Sequence, residues 1–366
     1  MKKIIILSGL CLCLVLSGCI TEYEATGLEE VGNILVVEGV ITDMDTYIRL
    51  SRSSNLTGSY SSYYDPYGSS GVDYAQVDVE CDDGTRSDAR LLGSGHYLIE
   101  TGKLDLSRKY RLNISIGKDK YQSDYSYPLK TPEIDSIFWR KSNRGRPVNI
   151  YVSTQDAEEK IMYYRWSYKE DWEINSEYRS EDYPYRCWNL ANSSDLLIGS
   201  AEKTVYGIVT DNIININPWD SRLSVLYRII IKQNAISKRA YDYFANIKKN
   251  SQQSGSIFAP VPSELRGNIT CITDPSMPVI GYVDVSNTTQ NRRYISRWKD
   301  NLYEKPFSDC EPILEDTLRK YNNDEIPGGY VKYREDGPGA PVYYIYISCV
   351  DCTFYGTEQK ADDWPD

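Results

Sequence analysis

The sequence predicts a mainly β protein: an N-terminal immunoglobulin-like β-sandwich, then a second β-rich domain that carries one amphipathic helix. Three observations carry this. Short alternating or β-branched runs recur along the chain, separated by Gly, Pro, Asn and Asp. A helical period surfaces at one place, residues 238–250. Tyrosine dominates the aromatics, with 33 Tyr against 5 Phe, and Tyr suits pleated, half-wet sheet faces because it keeps a polar tip.

The chain opens with Lys2 and Lys3, an apolar run over 4–16 that is too short to span a bilayer, and Leu16-Ser17-Gly18-Cys19. Charge, apolar run, small residues and cysteine in that order form a bacterial lipobox. Residues 1–18 are then a lipoprotein signal peptide and Cys19 is the lipidated first residue of the mature chain. Residues 19–32, with Glu22, Glu24, Glu29 and Glu30, form an acidic tether. No later stretch reaches the ~18 apolar residues of a membrane span, so the lipid is the expected membrane contact. The formal charge of −11, more negative once Lys2 and Lys3 leave, argues against nucleic acid and anionic lipid surfaces as partners.

The sandwich is expected over 33–130. Its strands lie at 34–41, 47–51, 75–81, 95–99 and 110–116, with Asp83-Gly84 as a hairpin turn. A Ser/Tyr/Gly loop over 58–71 carries Tyr60, Tyr63, Tyr64 and Tyr67. Pro128 and Pro132 mark a linker. The second domain, 131–366, has candidate strands at 134–139, 148–152, 161–168, 205–209, 223–231, 279–285 and 342–348. Its helix is capped by Ser237, places Ala240, Phe244 and Ile247 on one face, and ends with Lys248 and Lys249.

Chemistry is sparse. His96 is the only histidine and sits in a predicted strand, so a histidine-based triad would have to use it, and a histidine-based zinc set lacks its other ligands. Cys81, Cys187, Cys271, Cys310, Cys349 and Cys352 are disulfide candidates, an even count in an exported chain whose pairing the sequence does not choose. Cys349-Val350-Asp351-Cys352 follows a strand and precedes no helix, so structural bonds to upstream cysteines are expected rather than a redox pair. Glu170, Asp171, Glu173, Glu177, Glu181 and Asp182 crowd one stretch and are read as loop carboxylates. They are the only candidates for glycoside hydrolysis, which needs two carboxyls and aromatic platforms. Trp172, Tyr178 and Tyr183 in that stretch, with Tyr60, Tyr63, Tyr64 and Tyr67, are the candidate ligand or partner contacts, because Tyr offers rigid amphipathic area at little entropy cost. No catalytic residue, metal ligand or cofactor is assigned. Asp135-Ser136-Ile137 and Asp316-Thr317-Leu318 match short bacterial O-glycosylation acceptors, a pattern that recurs by chance.

The order of several pieces resembles the Bacteroidota lipoproteins grouped as domain of unknown function 4249. They are the lipobox, Leu35-Val36-Val37-Glu38-Gly39-Val40-Ile41-Thr42, Thr131-Pro132-Glu133-Ile134-Asp135-Ser136-Ile137, Cys187-Trp188, and the helix through Tyr241-Asp242-Tyr243-Phe244. Gly255-Ser256-Ile257-Phe258, Gly267-Asn268-Ile269, Val279-Ile280-Gly281-Tyr282, Cys349-Val350-Asp351-Cys352 and Trp364 continue it. The ending Trp364-Pro365-Asp366 departs from the Lys-Pro-x-Phe-Trp finish of such chains. The resemblance implies an outer-membrane address, on its periplasmic or cell-surface face, and an accessory role beside a TonB-dependent receptor. The leading expectation is therefore a non-catalytic lipoprotein that binds receptor or substrate (a glycan, peptide or other nutrient). A carboxylate-dependent glycan hydrolase and a structural or adhesive surface protein are the rivals.

Overall fold

A computed structural model describes residues 34–366 except 54–70, 159, 254–266, 305–309, 336, 338 and 366. The lipobox with Cys19, the tether, and Tyr60, Tyr63, Tyr64 and Tyr67 lie outside the described residues. Strands dominate, as the composition predicts. The chain first forms β1 (Leu35–Gly39), β2 (Asp45–Arg52), β3 (Gln76–Cys81), β4 (Arg86–Gly93), β5 (His96–Glu100), β6 (Tyr110–Ile116) and β7 (Asp119–Ser123). Past the prolines come β8 (Ile134–Arg140), β9 (Val148–Gln155), β10 (Tyr163–Asn175), β11 (Arg186–Asn192), β12 (Leu197–Ser200), β13 (Ile208–Ile216) and β14 (Leu226–Ala235). Helix α1 (Lys238–Gln253) is followed by β15 (Ile269–Cys271), β16 (Val279–Gly281), β17 (Thr288–Ser296) and the one-turn α2 (Arg297–Asp300). The last elements are β18 (Ile313–Leu314), α3 (Glu315–Tyr321), β19 (Tyr330–Glu335) and β20 (Val342–Tyr346).

The first sheet has nine strands in the order β15-β7-β6-β3-β4-β5-β2-β1-β16. It turns a corner at β4: Arg86 to Asp88 pair with β3, whereas Ala89 to Gly93 pair with β5. Alternation does the expected work, as in β2, where Thr46, Ile48 and Leu50 are buried and Asp45 and Tyr47 are not. The expectation that 131–366 forms one separate body needs correction. The chain returns, and β15 and β16 supply the two outer strands of the first sheet, antiparallel to β7 and parallel to β1. Ile269, Cys271, Val283 and Val285 complete the core built on Ile48, Leu50, Leu112 and Ile114. The two ends of the sheet are tied where Asn268 donates to the Val283 carbonyl at 2.8 Å and accepts its N–H at 2.9 Å. Alternation at 279–285 signals a strand but says nothing of its partner.

The two crossings between units run side by side and are laced together. Leu129 N–H donates to Val285 at 2.8 Å, and Ser286 N–H to Ile41 at 3.0 Å. The Ala235 N–H reaches Thr131 Oγ1 at 2.9 Å, and Gln233 Nε2 reaches the Pro132 carbonyl at 2.9 Å. Thr131 and Ser286 are buried, so the proline-flanked segment is a braced joint rather than a free linker.

In the second unit a five-stranded sheet (β11-β10-β14-β17, with β12 on the first half of β10) faces a three-stranded one (β13-β9-β8). They share one core, including Val148, Ile150, Val152, Trp166, Ile229, Ile231 and Ile295. The helix begins where predicted: Ser237 Oγ accepts the Ala240 N–H at 3.2 Å, and Ala240, Tyr243 and Phe244 pack on Tyr163, Ile236 and Tyr282. Because Tyr282 belongs to the returning segment, α1 clamps the two units. A small sheet, β18-β20-β19, closes the chain. Disulfides fasten this last module, Cys310–Cys349 within it and Cys187–Cys352 to β11. Cys81 and Cys271, counted among the disulfide candidates, are instead free and buried in the first unit, where they pack as small apolar side chains.

Candidate functional site: an aromatic cleft

Of the acidic stretch expected as a loop, Glu177, Glu181 and Asp182 do lie between β10 and β11, whereas Glu170, Asp171 and Glu173 belong to the second half of β10, whose thirteen residues run through Asn175. Strand alternation splits its carboxylates between the two sheet faces, and each meets a guanidinium. Glu170, on the core face, accepts Tyr227 OH at 2.7 Å and Arg222 Nη1 at 3.1 and 3.2 Å. Asp171, on the outer face, accepts two donors of the wholly buried Arg228 at 2.8 and 3.1 Å. Glu173 is held by both arms of Arg186 at 2.7 and 2.9 Å. Burial by itself would lower the Arg222 pKa, but Asp220 and Glu170 more than offset it and raise it above the ordinary guanidinium value. Burial and the neighbouring Glu170 carboxylate likewise raise the Tyr227 phenol well above its usual range. These are structural ion pairs inside a sheet.

The contact candidates move too. Trp172 is 9% exposed and belongs to the core. Tyr178 meets Tyr333 edge-on at 5.4 Å, and both Tyr178 and Tyr183 pack on the C-terminal module around Ile345, Cys349 and Val350. His96 opens β5 at the surface, with Nδ1 3.2 Å from the Gly93 carbonyl.

A cleft of about 820 Å³ lies where the end of β10 meets the C-terminal module. One wall is Ile174 to Glu177 with Tyr185. A second comes from the turn around Asp220, which brings Trp219, Ser221, Ser224 and Val225. The third is α2 with the segment just beyond it, which together bring Arg297, Trp298 and Tyr303. Tyr330, Tyr346, Tyr355 and the Cys310–Cys349 bond form the last wall. Trp298 is 80% exposed and Trp219 50%. Large apolar faces grouped at one cleft, rather than scattered singly, mark a candidate interaction surface.

Local structure holds these rings in place. The Arg297 guanidinium sits 5.0 Å from both the Trp298 and Tyr303 ring centres, and Nη1 donates to the Ser224 carbonyl at 3.3 Å. Asn301 ends the turn in the left-handed region at φ 50°. Gly329, at φ 88°, leaves room for the Tyr346 ring; a Cβ there would lie 2.6 Å from it. Tyr346 in turn stands edge-on to Tyr330 at 5.5 Å. The charged side chains of the lining are Glu177 and Arg297. Among the described residues no group of three or more His, Cys, Asp or Glu side chains is placed to hold a metal ion.

Residues 170–183, singled out from the sequence, border this cleft, but no local signal there points to Tyr185, Trp219, Trp298, Tyr303, Tyr346 or Tyr355. Pro218-Trp219 next to Asp220 is a turn signal that could have placed an indole at the surface. Convergence of the other rings depends on the C-terminal module folding back, which no local pattern records.

Fold and site together define a mainly β protein of two sheet-built units with a disulfide-fastened C-terminal module and an open aromatic cleft. The chain belongs to the family described as domain of unknown function (DUF4249), whose model matches residues 20–292. The matched region holds Trp219 and the β10 wall, whereas Trp298 and the C-terminal wall lie beyond it. No curated protein is similar to the chain.

Proposed function

We propose that this protein is a lipid-anchored, non-catalytic binding protein of the outer membrane that assists a TonB-dependent receptor in nutrient uptake. Its ligand seat is the aromatic cleft. The observation that carries the reading is the pair of exposed indoles, Trp219 and Trp298, at a cleft whose charged lining is Glu177 and Arg297. Flat aromatic faces edged by hydroxyls and amides suit a ligand with one apolar face and polar edges, a glycan foremost. Of the carboxylates that a hydrolase could use, Glu170, Asp171 and Glu173 are already committed to arginines, which leaves Glu177 as the one carboxylate lining the cleft. The lipobox at Cys19 supports the anchor, and the family resemblance supports the receptor partnership. No helix among the described residues is long and apolar enough to cross a membrane.

The test combines location and binding. Fractionation and mass spectrometry should find a diacylated or triacylated Cys19 in the outer membrane, and mild solubilisation should recover a TonB-dependent receptor with the protein. Trp219→Ala and Trp298→Ala should each weaken ligand capture about tenfold, because an aromatic contact contributes ~0.5–1.5 kcal/mol beyond area burial. Their melting temperatures should hold, since both rings are exposed. Unaltered capture by the double variant would remove the cleft from the proposal.

A further inference from the structure

The face of the five-stranded sheet turned away from the core carries a ladder of cations in an otherwise acidic chain. Register stacks them row by row across the strands. Arg165 stands beside Asn234 and Thr288, and Lys232 between Ser167 and Gln290. Lys169 pairs with Ile230, which continues to Arg292, and Asp171 pairs with Arg228. Helix α1 bounds the ladder at one end, where the Arg165 guanidinium lies 5.0 Å from the Phe244 ring centre. The C-terminal tail bounds it at the other. Two adjoining hollows of about 620 and 320 Å³ share Ser167, Lys232 and Gln290, so a continuous groove runs along the exposed rows from the unit junction to the tail.

Carboxylates reach this groove at few points. Asp171 is taken by Arg228 and by Lys169 at 3.4 Å. Asp45 lines the junction end. At the tail end stands Asp363, 2.8 Å from Arg228 and 3.5 Å from Arg292, with the buried Trp364 anchoring it. Lys232 is exposed and makes no ion pair among the described residues. The protein thus fills one position of its own cationic ladder with a carboxylate and leaves the next open. The remaining lining is rich in hydroxyls and amides, Ser193 and Asn192 among them, which suits a hydroxylated ligand better than an apolar peptide or an acyl chain.

We propose that this groove, separate from the aromatic cleft, binds an acidic oligosaccharide through its uronate carboxylates. Lys232, Lys169 and Arg292 pair with those carboxylates, the amides meet the hydroxyls, and Asp363 acts as a built-in competitor for the last position. The charge pattern selects anionic chains over neutral ones of the same length.

The test is calorimetric titration of the full mature chain with trigalacturonate, and with maltotriose as the neutral probe. Trigalacturonate should bind and maltotriose should not compete. Raising salt to half-molar should weaken binding, as expected for partly exposed charges. Lys232→Glu should weaken binding at least tenfold, with an unchanged melting temperature because its side chain is exposed. Asp363→Asn should strengthen it severalfold by releasing the competitor. Absence of trigalacturonate binding in both the wild type and Asp363→Asn would overturn the proposal. So would equal affinity for maltotriose, or full affinity in Lys232→Glu. Because Trp219 and Trp298 lie outside the groove, their alanine variants should retain trigalacturonate binding even if the aromatic cleft proves inactive.

Discussion

Replacing Arg228 with methionine tests the reasoning about the β10 carboxylates most directly. The Arg228 side chain is 0% exposed and that of Asp171 is 4% exposed. Arg228 binds Asp171 through two donors, donates to the Asp363 carbonyl at 3.2 Å, and lies 5.3 Å from the Trp364 ring centre. Methionine keeps the apolar stem but strands a buried carboxylate, an error that costs about 3–5 kcal/mol when one partner of a buried pair is removed. Lys169, 3.4 Å from the other carboxylate oxygen, remains and compensates in part. The expectation is therefore the lower end, about 3 kcal/mol. With a urea dependence of ~3 kcal/mol per molar, the unfolding midpoint should fall by about 1 M. Adding Asp171→Leu removes the stranded charge and should recover most of that loss, since apolar replacements of whole buried pairs are often neutral. Urea titration followed by tryptophan emission reads both, and Trp364 reports release of the tail in the single variant. A single variant that loses under 1 kcal/mol, or a double variant no better than the single, would refute the argument.

Three more outcomes are expected from other features. The Cys187–Cys352 bond joins residues 165 apart in sequence, so its chain-entropy contribution is about 5 kcal/mol. Replacing both cysteines with serine should lower the melting temperature sharply, and thiol titration of the wild type should find two groups, Cys81 and Cys271, only after denaturation. Burial raises the Asp284 carboxyl above its ordinary value despite its bonds from Ser237. The native state then holds a proton that the unfolded chain releases near pH 3.9. Stability from this group is lost as pH climbs through the raised native value, and Asp284→Asn should flatten that slope in guanidinium titrations across pH 4–7. Gly329→Ala puts a methyl 2.6 Å from Tyr346 in a left-handed backbone, so it should cost about 1–2 kcal/mol and change near-ultraviolet dichroism where Trp298→Ala leaves stability intact.

Much of this molecule was readable before its structure. The mainly β class, the Ser237 cap and the amphipathic helix expected over 238–250 rest on local periodicity; the helix starts where expected but runs on to Gln253, so Lys248 and Lys249 do not form its last turn. Within the acidic stretch only Glu170, Asp171 and Glu173 depart from the loop expectation, which rests on charge density ordinarily marking a solvated segment. Here Arg186, Arg222 and Arg228 arrive from other segments, and their pairing lets Glu170, Asp171 and Glu173 stay in a strand. An even count of six cysteines likewise suggested three bonds, but parity does not see that Cys81 and Cys271 serve as core side chains. The cleft was the least legible part. Trp219, Trp298 and Tyr346 are distant in sequence, and each alone looks like an ordinary surface aromatic.

The late return of β15 and β16 carries a consequence for how the chain is made. Synthesis delivers β1 through β7 long before residues 269–281 exist, so the young first unit must wait with both outer strands, β1 and β7, lacking neighbours. Bare strand edges recruit whatever extended peptide is nearby. A nascent fragment ending near residue 130 should therefore depend on holding chaperones. The decisive moment in maturation is the docking of Ile269–Cys271 and Val279–Gly281, when the first unit is finally sealed by segments made well after it.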